Sequence, residues 1–196
     1  MNKRISIIAI SSLGLIGLAL AVVGCNNDIS RTSAPVELLM HTISQPIAKF
    51  DIAAATSTAC QQNVSNVQIE NRIKNPATTN TTFLDVHLTR YTVTWTRTDG
   101  GKQVPAPVDS AMDLLVAAGG TSTTAVFHLG QFNIFDQAPF AALLPQNGGK
   151  DPDTGSTHIK FNVTTTVFGQ TLAGDNVSAS STIPLEVCFG CGDCTP

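Results

Sequence analysis

The chain has 196 residues, with 11 basic and 14 acidic side chains, a formal net charge of −3 and a charged fraction of 13%. A chain of this size builds one domain with a real core. Its sparse positive charge leaves no basic patch to hold phosphates, which excludes nucleic acid as a class of partner.

Lys3 and Arg4 precede an apolar run over residues 5–23 that closes on Val22-Val23-Gly24-Cys25. Two cations, a greasy stretch and small residues before a cysteine have the pattern of a bacterial lipoprotein signal. The small residues admit a peptidase to the bond ahead of Cys25, whose thiol then carries a diacylglyceryl group. Residues 1–24 are thus expected to be a signal peptide, and Cys25 the lipidation site that ties the exported part to a membrane. A transmembrane anchor is the competing reading of so long an apolar run, but Ser6, Ser11, Ser12, Gly14 and Gly17 dilute it. Asn26, not Asp, follows the cysteine; by resemblance to enterobacterial sorting rules this favours the outer membrane.

Residues 25–45 read as the lipidated cysteine and a tether, and residues 46–196 as the folded domain with a cysteine-rich tail. Within the tether, Val36, Leu39, Met40 and Ile43 fall at helical spacing and predict one short helical turn. Beyond it the signals are of β type. Val67, Ile69 and Ile73 share one side of an alternating run that Asn71 interrupts and Asn75-Pro76 stops. The strongest strand covers residues 83–98. Its apolar set changes parity between Val86, Leu88 and Tyr91, Val93, Trp95, which predicts a β-bulge or bend. Asp99-Gly100 marks a turn, and Pro105 and Pro107 disfavour a central strand there.

Leu114, Leu115 and Val116 form a short apolar run, and Ala125, Phe127 and Leu129 alternate. Residues 138–144 lack period two and suggest a short helix. Two clean strands close the chain, one through Ile159, Phe161, Val163, Thr165 and Val167, the other through Val177, Ile183, Leu185 and Val187, joined by a turn at residues 173–176. Roughly six to eight short strands without a long helix point to an all-β, antiparallel sandwich, with a closed barrel as the alternative.

Residues 91–101 (YTVTWTRTDGG), followed by Val104-Pro105-Ala106-Pro107, with Asn75-Pro76 upstream and Cys188-Phe189-Gly190-Cys191 at the end, carry a resemblance. Over residues 60–194 the chain resembles envelope lipoproteins of deltaproteobacteria and their relatives. The resemblance implies a single immunoglobulin-like or fibronectin-like β-sandwich and brings no catalytic residues with it. One departure from immunoglobulin domains is visible: Cys60 and the terminal cysteines do not bracket Trp95 as an inter-sheet bridge would.

Setting Cys25 aside leaves Cys60, Cys188, Cys191 and Cys194, an even set for an oxidising compartment, whose three possible pairings the spacing does not separate. Two disulfides pinning the last strand and tail are the expected use. Zinc held by four thiolates and a redox-active dithiol are the rivals; an iron–sulfur cluster lacks its fourth cysteine. Asp151 and Asp153 resemble the front of a calcium loop, but no glutamate closes it, and turn residues are the preferred reading. His41, His87, His128 and His158 share no ligand spacing, and the signatures of serine hydrolases, zinc peptidases and phosphate-binding loops are missing. Tyr91 and Trp95 share parity with Val93, which predicts core; a carbohydrate site on them would require exposure.

The sequence therefore predicts a lipid-anchored envelope sandwich that binds or scaffolds, with no catalytic residues and no cofactor. Its partners would be the membrane, through Cys25, and a neighbouring envelope protein, engaged by strand addition at a sheet edge. A redox or metal module on the C-terminal cysteines, or a carbohydrate-binding module, are the alternatives.

Overall fold

The structure is a computed structural model that describes residues 34–42, 49–54, 63–120, 123–130 and 133–192. Eight strands run in chain order: β1 (Val36–Thr42), β2 (Lys49–Asp51), β3 (Asn63–Ile73), β4 (Val86–Arg97), β5 (Val108–Val116), β6 (Thr123–His128), β7 (His158–Thr171) and β8 (Asn176–Cys188). They form a three-stranded sheet, β1-β3-β6, and a five-stranded sheet, β2-β8-β7-β4-β5. This is the strand order of an immunoglobulin-like sandwich, A-B-E over A′-G-F-C-C′. Trp95 sits on β4, the position of strand C.

Alternation explains most of these strands. In β7, Ile159, Phe161, Val163, Thr165 and Val167 all turn to the core, and the intervening residues face outward. In β4 the alternation changes phase at a bulge between Leu88 and Arg90, seen in the register with both β5 and β7. The extra residue keeps Val86 and Leu88 on the same buried face as Tyr91, Val93 and Trp95. Tyr91 joins the sheets: its ring meets Phe127 of β6 edge-on at 5.1 Å, and its hydroxyl accepts the His128 backbone N–H at 3.4 Å.

One expectation needs correction and three are refined. Residues 36–42 are a strand, not a helical turn: Val36 and Leu38 are buried at period two and β1 pairs with β3 from Val36↔Ile73 to Thr42↔Val67. The sandwich therefore begins inside the segment assigned to the tether. Its pairing is not wholly antiparallel, because β2 runs parallel to the end of β8. Residues 108–116 form a nine-residue edge strand whose half-exposed, mixed pattern conceals it in the sequence. Residues 138–144 make only a single 3₁₀ turn, Phe140–Leu143.

Asn71 does not interrupt β3 but belongs to its buried face, at 1% exposure. Its Nδ2 donates to the carbonyl oxygens of Leu84 (2.9 Å) and Val116 (3.1 Å), at the start of β4 and the end of β5. One amide thus crosses between the sheets. Replacing it strands two carbonyl groups in the interior, a cost of about 2 kcal/mol. Asn71→Ala is expected to lower the urea midpoint accordingly, with no change in the dependence on urea that measures exposed surface.

Candidate functional site

Charged groups gather at the end of the sandwich where β4 finishes. Arg97 has a side chain only 3% exposed and lies between Asp99 and Asp151. Its Nε and Nη2 donate to the two oxygens of Asp99 at 2.7 and 3.0 Å, and Nη2 also donates to Asp151 Oδ2 at 2.7 Å. Nη1 donates to the Gln103 carbonyl at 3.2 Å. The guanidinium lies 5.4 Å from the centroid of Phe161, whose ring packs edge-on against Trp95 and Phe140. Gly101 covers it so closely that a Cβ there would collide with the guanidinium.

Burial pushes the Asp99 carboxyl up, but Arg97 and the backbone N–H groups of Lys160 and Gly101 outweigh it and hold it at about 2. Asp151 is likewise held low against its burial by Arg97 and by Thr154. The predicted calcium candidates are thus engaged separately. Asp151 faces a cation supplied by the chain, while Asp153 Oδ2 accepts the N–H groups of Lys102 and Gln103 at 2.6 and 2.9 Å. Among the described residues, no group of three or more His, Cys, Asp or Glu side chains is gathered to hold a metal ion.

Asp51 organises the C-terminal cysteines. Cys188 and Cys191 are joined by a disulfide; Cys25, Cys60 and Cys194 lie outside the described residues. Gly190, within the Cys188–Cys191 loop, and Gly192, just after it, are both at positive φ and point their N–H groups at Asp51. Oδ1 accepts from Gly190 (2.7 Å) and Ala53 (2.9 Å), Oδ2 from Gly192 (2.9 Å). Burial raises the Asp51 carboxyl, yet these bonds bring it below its ordinary value. Such a cradle fixes β2 against the end of β8 and uses the Cys-x-x-Cys pair as a brace. The disulfide also removes two of the thiolates that a zinc site here would require.

Three of the four histidines serve as cross-strand partners. His41 meets Glu70 at 3.3 Å, His87 meets Asp113 at 2.7 Å and His158 meets Glu186 at 2.6 Å. Tyr91 and Trp95 are buried, 4% and 8% exposed, so neither presents a ring to a sugar.

An open recess lies elsewhere, on the outer face of the five-stranded sheet, where the β4 bulge meets β7. Gly169 lies against the bulge; a Cβ there would strike the His87 carbonyl. A bare backbone floor and flanking side chains leave a groove of about 550 Å³, walled by His87, Arg90, Phe168, Gln170, Leu172 and Asn176. Four polar wall residues, His87, Arg90, Gln170 and Asn176, are already oriented by partners. Arg90 forks onto Asp109 at 2.6 and 2.7 Å and lies 5.1 Å from the Phe168 ring centroid. Gln170 donates to Asn176 at 2.8 Å. The described lining holds no carboxylate and no thiol, so its chemistry is hydrogen bonding beside an aromatic ring and a leucine.

Sequence reasoning missed this groove. The parity change in β4 was its only signal, since a bulge re-aims side chains on a sheet surface. Compared with protein-family models, with curated proteins and with solved structures, the chain finds no match.

Two outcomes are expected. Because Asp99 is held down at about 2, the stability it contributes is complete above about pH 4 and falls away as the pH drops toward about 2, and Asp151, also held low, acts in the same direction. Thermal melts over that range check it. Arg97→Met leaves two buried carboxylates facing each other and is expected to cost about 3 kcal/mol at neutral pH by chemical denaturation. It should also flatten that acid dependence.

Proposed function

We propose that the protein is a lipid-anchored component of the cell envelope that acts by binding and not by catalysis. A signal over residues 1–24 exports it, and a diacylglyceryl group on Cys25 holds it, in the outer membrane by the sorting argument from Asn26. The envelope lipoproteins that the chain resembles are taken to be single sandwiches of this kind, and the fold agrees with that reading. The observation that carries the binding role is the groove beside the β4 bulge. Its polar side chains are held in place before any ligand arrives, which lowers the ordering cost of binding, and its lining offers hydrogen bonds and a ring edge. The depressed carboxyls at Asp51, Asp99 and Asp151 act as struts for backbone and arginine, a structural use of groups that an acid–base enzyme would leave facing substrate.

The anchor is tested by mass spectrometry of the protein made in a bacterial host. A diacylglyceryl and acyl mass on Cys25, abolished by Cys25→Ala, is the expected result; an unmodified thiol at Cys25 overturns the anchor. Binding is tested by nuclear magnetic resonance titration with muropeptides and with core oligosaccharides of lipopolysaccharide. Shifts confined to His87, Arg90, Phe168 and Gln170, and lost in Arg90→Ala, support the reading. Turnover of any of these compounds, or shifts that avoid the groove, overturns it.

A further inference from the structure

Phe83 and Leu172 are large apolar side chains that face solvent, 67% and 52% exposed. They are neighbours: the Ala173 N–H donates to the Phe83 carbonyl at 3.1 Å and the Leu172 N–H to the Asp85 carbonyl at 2.9 Å. Together they make an apolar tip where the β3–β4 connection meets the β7–β8 turn. Leu115, 53% exposed, lies one residue row further in, paired with His87. The acidic groups beside the tip are occupied, since Asp85 accepts the Ala118 N–H at 2.8 Å and Asp175 lies 3.5 Å from the Thr171 hydroxyl.

Exposure alone does not single out this end. Val104 and Phe189 are exposed at the opposite end, 45% and 40%. The path of the chain separates the two. β1 starts at Val36 opposite Ile73, and the Lys74 N–H donates to the Pro35 carbonyl at 3.0 Å. The polypeptide therefore reaches the sandwich at the Phe83–Leu172 end. Cys25 lies only eleven residue steps before Val36, a span of at most about 40 Å when fully extended. The eleven steps of β4 extend about 36 Å from one end to the other. A lipid on Cys25 is thus tied to the near end, and only a fully stretched tether would bring it level with the far one.

We infer that the Phe83–Leu172 tip docks on the phospholipid surface that holds the lipidated Cys25, placing Arg97 and the disulfide brace at the end directed away from the membrane. This rests on the reading of Cys25 as a lipid anchor. Two apolar side chains at the foot of a short tether gain burial at the interface, and they add a second contact to an acyl anchor whose hold on the bilayer increases with apolar area. The groove then opens close to the membrane plane.

The test uses the full lipidated chain in phosphatidylethanolamine vesicles with brominated acyl chains. An environment-sensitive fluorophore is attached at Phe83→Cys or, at the far end, at Lys102→Cys. Loss of fluorescence at position 83 with none at 102 is expected, together with a loss of that quenching when Leu172→Ser is added. Flotation of the vesicles separates the failures. Protein that does not float, with no acyl mass on Cys25, overturns both the anchor and the docking. Protein that floats with position 83 unquenched overturns the docking alone. Quenching at 102 in place of 83 reverses the orientation and overturns it too. A fluorophore at 83 that is shielded only at high protein density, without quenching by lipid, reports a second copy as the occupant and likewise overturns the proposal.

Discussion

A single extra residue in β4 governs both the interior and the outer surface of the five-stranded sheet. Val86 and Leu88 lie at one strand parity and Tyr91, Val93 and Trp95 at the other, so a regular strand would bury one set and expose the other. The bulge between Leu88 and Arg90 lets both sets reach the core. The same kink brings the β4 backbone so close to β7 that a Cβ at position 169 would strike the His87 carbonyl, and on the outer face His87, Thr89 and Arg90 around the bulge line the groove. Core packing and surface recess are therefore two consequences of one irregularity.

The two ends of the sandwich are finished with buried polar devices because strands stop there while backbone groups still need partners. At one end Arg97, Asp99 and Asp151 hold the 98–103 and 151–156 loops, and Asp51 collects the N–H groups of the disulfide loop. At the other, the Asn71 amide spans to Leu84 and Val116. These networks commit Arg97, Asp99, Asp151 and Asp51 to the chain's own architecture. The openness that remains is concentrated near the second end, in the groove and the Phe83–Leu172 tip, which is also where the N-terminal segment arrives.

Much of the sheet was readable because strand alternation is a local property. The β7 and β8 alternation, the turn at residues 173–176 and the burial of Tyr91 and Trp95 follow from residues two apart. Even the bulge showed as a phase change within one strand. The polar residues were not readable in this way. Asn71 looked like a break because its partners come from Leu84 and Val116, far along the chain. Asp151 read as a solvated turn residue, with calcium as the rival, because its counter-ion, Arg97, is 54 positions away. β1 looked helical because three of its four apolar residues also fit a 3.6-residue period, and only pairing with β3 selects the extended form.

The sequence by itself determined the β class, the phase of the major strands, the phase change in β4 and the signal-like segment ending at Cys25, since each depends on neighbours within a few residues. Tertiary structure alone decided which carboxylates became struts, which cysteines joined, where the groove opened and which end of the sandwich receives the N-terminal segment. Those outcomes depend on which distant groups share a desolvated space. Burial turns a weak local preference of a charge or an amide into a strong demand for one particular partner.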